Sequence, residues 1–520
     1  MTFINNGESG LSVRRKLNQD RFTDVTELLA DTSMTYSTVT AGDIVRTRSE
    51  GFSYQVAASG ASDQHVTTAG GVKLYVLPGG QGYNVKAFGA VGDGVADDTA
   101  EIQAAARAAN GVSGSGAVPG GTIYIPTGTY RVSKVGIRGT RVVGQNREAT
   151  IIKGIGSGAA TDFMFDAQLD MDGTTANTVG GGWCENMTID ANGSGRSLLR
   201  TYGGGVRPAS LVLKNAMASG AVGLSMGLPI WATATNIYAV NCDKGFFTFS
   251  GAGDNGTSTT FTGCWADSCL THGFHITQLY YSSFINCVAQ NCGTRNWYVQ
   301  GNSNGVSVVY SLQFIGCATE GTGKPFYFQN VRELSFQSPR IIDPTSGVDL
   351  VTLDNVSGTV SDFSTPSGLS GGAFHLDVIN HSSGTGSIKL LGGVATYDPT
   401  DAGATDAIAP VGPGYGRFQN TQGASYTLTL GDAGKTVMFN GGASQTLTIP
   451  SFSTVYYPVG TEIVFANRSG NAVSIACGDT MLLATTFTTG TRTLATQSMA
   501  VARKVEVSTW IIGSIGGGLT

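Results

Sequence analysis

Through the middle of the chain, short apolar runs alternate with polar and turn residues, and the runs recur in step. Aligned on cysteine, three successive stretches read FTGCWADSCLTHGFHI, FINCVAQNCGTRNWYV and FIGCATEGTGKPFYF, with NIYAVNCDKGFFTF before them and LSFQSPRIIDPTSGVDLVTL after. Cys264 and Cys287 stand 23 residues apart, and Cys317 follows after 30 (287 − 264, 317 − 287). Repeats of that length, made of short β runs with turns between, predict a coiled β solenoid in which each repeat is one rung. Strand alternation predicts Ile285, Cys287 and Ala289 facing the core, with Val288 and Gln290 facing out.

Upstream of the repeats the pattern changes. NVKAFGAVGDGVADDTAEIQAAARAA, starting at Asn84, reads as a short strand, a Gly/Asp turn and one amphipathic helix; GGTIYIPTGTYRVS, ending at Ser133, resumes extended structure. Asp98 and Glu101 have the spacing of a capping box, and Ala100, Ile102, Ala105, Ala106 and Ala109 give the helix small side chains for close packing. Asp93, Asp97 and Asp98 are short acceptors placed to satisfy amides of the turn. This segment resembles the N-terminal entry of the pectate-lyase-like right-handed β-helix family. The resemblance implies an all-β fold, a right-handed parallel β-helix over 83–395, with the helix closing an end whose backbone edges would otherwise pair with other chains.

Outside the solenoid the texture differs. Residues 1–82 read as a small module of mixed structure, 396–414 as a Gly/Pro/Asp-rich linker, and 415–520 as a β-rich module of clean alternating strands. That three-part plan resembles a bacteriophage tailspike. The resemblance implies a homotrimer on the virion, made in the host cytoplasm, that joins a tail or baseplate protein through 1–82. It further implies that the protein binds, and depolymerises, host cell-surface polysaccharide; the alternative is a non-cleaving receptor-binding or adaptor tail protein.

Composition narrows the alternatives. Charged residues are 13% and Gly 75 of 520, fitting a turn-rich β protein, and the 41% apolar share excludes a disordered chain. A formal charge of −5 leaves no basic field to hold nucleic acid. No eighteen apolar residues run together, and MTFINNGESGLSVRRKLNQD has no apolar signal core, so neither membrane insertion nor a Sec signal is expected. Six of the eight cysteines recur at repeat positions (Cys264, Cys287, Cys317; Cys242, Cys269, Cys292), which predicts buried thiols in a core; pairing between adjacent rungs is the alternative. No metal and no cofactor are expected: no CxxC or CxxH cluster argues for a structural metal.

Candidate chemistry comes from the outward repeat positions. Asp267, Gln290 and Glu320 share one position. Carboxylates two rungs apart lie roughly 9–10 Å apart at Cα, against the roughly 6.5–9.5 Å between acid and base in inverting glycosidases. Glu320, beside Gly321, Pro325, Phe326 and Tyr327, is expected to be the more enclosed and so the general acid, with Asp267 as base and Gln290 a hydroxyl-binding spacer. The plain alternative is a solvated polar face. His275, Tyr298 and Tyr327 share a second outward position, joined by Trp265, and aromatic faces in a row suit sugar rings as well as they suit a subunit interface. His272, His275, Arg295 and Lys324 fall in the same turn region, which leaves a lyase reading: His272 or Tyr280 as base, Arg295 neutralising a uronate. Glu185 and Asp190 lie in WCENMTIDANG, read as a strand ending in an Asx turn braced by Asp190, with a divalent-metal role for Asp190 and Asn192 as the alternative although no calcium loop surrounds them; GGGVRP at Gly203–Pro208 reads as a turn.

Overall fold

The computed structural model describes residues 21–111, 121–169, 181–250, 255–301, 309–321, 324–342, 351–354, 356, 358–361, 375–379, 388–391, 396–397, 408–411 and 419–520. It divides into two compact units, Met1–Val356 with Phe363–Asp377, and Ser357–Asp362 with Val378–Thr520. Of the expected linker 396–414, Thr396–Tyr397 and Ile408–Val411 are strands, and the rest lies outside the described residues, as does the start of the 1–82 module.

The first unit begins with a short helix, Val25–Ala30, capped by Asp24, whose carboxylate accepts the Glu27 amide at 2.8 Å. An antiparallel sheet follows, in the order Ile44–Arg46, Ser53–Val56, Lys73–Val76, Val66–Thr67. It is tied to the entry segment: the Tyr54 hydroxyl donates to the Ala87 carbonyl at 2.9 Å, and His65 packs edge-on against Tyr83.

The entry helix spans Thr99–Asn110 and buries Ile102, Ala105, Ala106 and Ala108. The expected capping box does not form. Asp98 occupies the N-cap position without capping the helix; its carboxylate accepts the amides of Val91, at 2.6 Å, and Gly92 instead. Asp97 takes over at the helix start, its carboxylate accepting the Thr99 amide at 3.0 Å.

From Tyr83 to Asp354 the chain winds as a right-handed parallel β-solenoid with three sheets, each strand pairing with its counterpart one rung on. In the first sheet Glu185, Ala209, Thr235, Thr262, Ile285, Ile315 and Gln337 are successive partners. In the second, Asp190, Lys214, Val240, Asp267, Gln290, Glu320 and Ile342 are. In the third, Leu199, Leu224, Phe246, Phe274, Trp297, Phe326 and Val351 stack inward.

From Trp183 on, the corner between the first and second sheets is a single residue in the left-handed region. Asn186, Ser210, Asn236, Gly263, Asn286, Gly316 and Ser338 all have φ between +48° and +61°. Small side chains that bond locally, or none, tolerate that conformation best. This corner corrects one expectation: Phe284 and Cys287 are buried while Ile285 faces outward, because the left-handed residue at 286 breaks strand alternation between them. A second left-handed corner, Asn215, Asn241, Ser268, Asn291 and Gly321, leads into the third sheet.

The core is built of like on like. Phe246, Phe274 and Trp297 stack at 4.4 and 4.0 Å between ring centroids, and Phe261, Phe284 and Phe314 at 4.8 and 4.7 Å. Each such ring contributes about 1.5–3 kcal/mol by burial. All eight cysteines are free thiols; those of the repeats are buried and donate to core-lining carbonyls, Cys264 Sγ to Ala234 O at 3.4 Å among them.

In the second unit, residues 419–520 form a six-stranded and a four-stranded sheet around Phe439, Ile463, Phe465, Ile475 and Trp510. Inside it Lys504 and Asp479 make an ion pair at 3.4 Å, both side chains almost wholly buried.

The first corner gives a direct test. Asn286→Ala removes the residue type that tolerates φ of +50° and is expected to cost about 1–2 kcal/mol in denaturant melts. Gly316→Ala is expected to cost more, since a Cβ there lies 2.7 Å from Asn286 Oδ1 at a φ of +61°.

Candidate functional site on the third sheet

Each third-sheet strand of the middle rungs follows one burial pattern, out-in-in-out-in-out, as in His272–Thr277, Arg295–Gln300 and Lys324–Gln329. In-register pairing therefore lays three columns along the outer face. The first is Lys244, His272, Arg295 and Lys324. The second is Phe247, His275, Tyr298 and Tyr327, and the third runs through Thr277, Gln300 and Gln329.

The aromatic column is continuous, with centroid separations of 5.1 Å from Phe247 to His275, 5.0 Å to Tyr298 and 5.5 Å to Tyr327. The cationic column leans onto it: the Arg295 guanidinium lies 3.8 Å from the Tyr327 ring centre, His272 stacks on Tyr298 at 4.8 Å, and Lys244 Nζ is 5.9 Å from Phe247. The amide column is linked at its far end, where Gln300 Nε2 donates to Gln329 Oε1 at 3.0 Å and Gln329 Nε2 to the Asp354 carboxylate at 2.6 Å.

Burial, reinforced by neighbouring cations, makes the two histidines poor bases. His275 is pushed down to about 3 by burial and then by His272 and Lys244; His272 is pushed down to about 4 by burial and then by Lys244 and Arg295. Both are neutral at pH 7. Among the described residues neither His275 nitrogen has a hydrogen-bond partner, nor does His272 Nδ1. Tyr327 is pushed up to about 12 by burial and by the hydrogen bond its hydroxyl donates to Asp354 at 2.9 Å, so it acts as a donor and not as a base.

The carboxylate column lies on the second sheet. Asp267, Gln290 and Glu320 stack in direct register, both acids half-buried. The Asp267 carboxylate accepts Tyr238 Oη and Ser268 Oγ, each at 2.9 Å, whereas among the described residues nothing donates to that of Glu320. Trp265, 43% exposed, stands in the neighbouring column and packs on Tyr238 at 5.5 Å. One expected grouping changes. His272, His275, Arg295 and Lys324 sit on third-sheet strands beyond the Ser268–Asn291–Gly321 corner, not in a turn with the carboxylates. The tight left-handed bend at that corner ends the second-sheet strand one residue after Asp267, and His275 falls mid-strand.

Sequence reading stopped one rung short. Lys244 and Phe247 extend two columns backward, and the motif DKGFFTF aligns with THGFHIT in the same frame. The amide column went unread because Thr277, Gln300 and Gln329 look like ordinary strand ends until the register is known.

With this geometry in hand, comparison with known proteins adds the family. Residues 82–322 match the family model described as Rhamnogalacturonase A/epimerase, pectate lyase-like. That stretch is a pectate-lyase-like domain. Mannuronan C5-epimerase AlgE1 of Azotobacter vinelandii is 63% identical over 51 residues, 10% of this chain and 3% of that protein. Alginate lyase 7 of the same organism is 57% identical over 51 residues, 10% of this chain and 5% of the other. A probable glucan endo-1,3-beta-glucosidase of Arthroderma benhamiae is 41% identical over 104 residues, 18% of this chain and 11% of that protein. The chain thus spans a small fraction of these relatives' length. Among solved structures, the enzymatically active domain of bacteriophage CBA120 tailspike protein 2 aligns at 12% identity and a TM-score of 0.46, covering 98% of this chain and 81% of that one. The AlgE6 A-module of Azotobacter vinelandii aligns at 18% and 0.38, covering 76% and 95%.

The histidine pair of the pectate-lyase-like domain sets a pH dependence. Below pH 6.5 the unfolded chain binds protons that folded His272 and His275 refuse, so their contribution is complete above about 6.5 and is lost as pH falls toward about 4 and about 3. His275→Phe, which continues the ring of Phe247, is expected to lose less stability than the parent between pH 7 and pH 4.5 in parallel thermal melts. Equal losses would show that the burial of His275 does not govern its titration.

Proposed function

We propose that this protein binds an extended polysaccharide along the outer face of the third sheet and depolymerises it. The observation that carries this reading is the set of three parallel columns, cationic, aromatic and amide. Aromatic faces offer stacking to pyranose rings, amides and hydroxyls offer hydrogen bonds, and the cations favour a glycan bearing carboxylates. Support comes also from the sequence relatives, which are named for acting on mannuronan, alginate and β-1,3-glucan.

For the chemical step, hydrolysis by Asp267 and Glu320 is the first reading. Two rungs separate them, about 9–10 Å at Cα, which leaves room for a water between side chains. Hydrogen bonds from Tyr238 and Ser268 fix the orientation of the Asp267 carboxylate, suiting it to hold that water as base. Glu320, with no such donor, is the general acid. Trp265 and Gln290 flank the pair as sugar contacts. A specific observation favours a second reading, elimination from a uronate: the Arg295 guanidinium stands in a cationic column that suits a sugar carboxylate, with His272 as the base, a weak one given its lowered pKa. Tyr280 is a weaker base candidate, since burial raises its pKa.

We further propose that the protein is a homotrimeric virion tailspike acting on host surface polysaccharide, with 1–82 joining the tail, 83–395 the catalytic solenoid, 396–414 a linker and 415–520 a terminal module. The order of these segments along the chain supports it.

Asp267→Asn and Glu320→Gln are each expected to lower the release of reducing ends from host capsule or lipopolysaccharide by about 10²–10⁴ while leaving the melting temperature unchanged. Activity retained in both variants, with ultraviolet absorbance of an unsaturated uronate in the products, establishes elimination in place of hydrolysis. In light scattering the particle is expected at three times the 53.6 kDa chain mass, and a monomer removes the tailspike assignment.

A further inference from the structure

The corner that closes each rung, between the third and first sheets, breaks a rule the other two keep. At the first two corners the left-handed positions hold Asn, Ser or Gly throughout. At the third, the equivalent positions of five consecutive rungs are Trp231, Ser258, Tyr281, Ser311 and Glu333, with φ of 53°, 54°, 46°, 50° and 57°. Their equivalence is fixed by the residues before them, since Ile230, Thr257, Tyr280, Tyr310 and Arg332 are successive register partners. The backbone is held by the ladder, with Trp231 N donating to Thr257 O at 2.9 Å and Ser258 N to Tyr280 O at 3.1 Å.

Bulky aromatic residues are poor occupants of the left-handed region, and packing does not explain these two. Trp231 is 72% exposed and Tyr281 67%, so neither side chain repays its backbone strain by burial. Strain kept at an exposed aromatic points to a ligand. The two rings stand two rungs apart, about 10 Å along the solenoid axis, with the short Ser258 between them. That gap leaves two isolated apolar faces and no continuous patch of the size a subunit interface needs, on the order of 800 Å² per partner. Polar groups adjoin them: Tyr280 packs edge-on against Tyr281 and Tyr310, and the Arg332 guanidinium lies 5.8 Å from the Tyr310 ring centre. Isolated rings spaced along one axis, with hydroxyls and a cation beside them, match the alternate sugar faces of one extended glycan strand.

We infer that Trp231 and Tyr281 form a glycan-binding rail on the third corner, holding a polysaccharide strand parallel to the solenoid axis beside the third-sheet face. The inference rests on the polysaccharide reading above and adds a second contact line to it. A rail of this kind holds the polymer after each cut, so it acts on long chains and not on short fragments.

The test uses the full chain in affinity gel electrophoresis with alginate, polygalacturonate and laminarin as probes, alongside thermal melts. Trp231→Asn, Tyr281→Asn and the double variant are compared with the parent. The expected result is weaker retardation, at least about tenfold in apparent affinity for the double variant, together with a higher melting temperature as Asn relieves the strain. Unchanged retardation with a higher melting temperature overturns the rail and leaves the polysaccharide reading intact. A lower melting temperature, or a smaller particle in light scattering, makes the two rings packing residues and also overturns it. A parent chain retarded by none of the three polymers overturns both readings together.

Discussion

The constraint on which everything else depends is in-register parallel stacking. Each residue sits about 4.8 Å from its counterpart on the next rung, so a choice made at one position is repeated, for good or ill, against its own kind. Apolar positions gain from this. Phe246, Phe274 and Trp297 lie ring on ring, and the thiols of Cys264, Cys287 and Cys317 fill the narrow place where larger side chains do not fit. Charged positions lose, because like charges face each other across one rung. The cationic column shows how that loss is contained: His272 is neutral between Lys244 and Arg295, and Arg295 turns its guanidinium onto the ring of Tyr327.

The same stacking separates positioning from chemistry. The cores of the three sheets are interchangeable aromatic and aliphatic stacks, while each outer face carries its own columns. Asp267 illustrates the division: its partner Tyr238 comes from the preceding rung, so a half-buried carboxylate is held by a neighbour 29 residues earlier in the chain. Removing Tyr238 therefore disturbs Asp267 without touching the core.

Much of this was legible in the residues. The cysteine frames carry the register, which is why the Asp267–Gln290–Glu320 and His275–Tyr298–Tyr327 columns could be read before any coordinates. What was not legible depends on conformations that leave a faint mark in sequence. Ile285 was placed inward because period-two alternation was carried through Asn286, whose left-handed φ resets it. Asp98 had the spacing of a cap, yet the amides of Val91 and Gly92 compete for the same carboxylate and win. The histidines looked like turn residues because His272 follows CLT, although the strand begins at His272 itself. The left-handed aromatic residues of the third corner could be read only once φ was known, since Trp and Tyr are the residues least expected there.

That third corner has another property. Between the partners Thr277/Gln300 and Tyr280/Tyr310, one rung crosses in three residues and the next in ten (280 − 277, 310 − 300), and pairing resumes in register on the far side of both. The crossing length is thus uncoupled from the core, and lengthening such a loop costs only a slowly growing closure entropy, about 0.6 kcal/mol per doubling. Evolution, or an engineer, can therefore splice new segments at this corner rung by rung, reshaping the outer surface while the scaffold beneath stays the same.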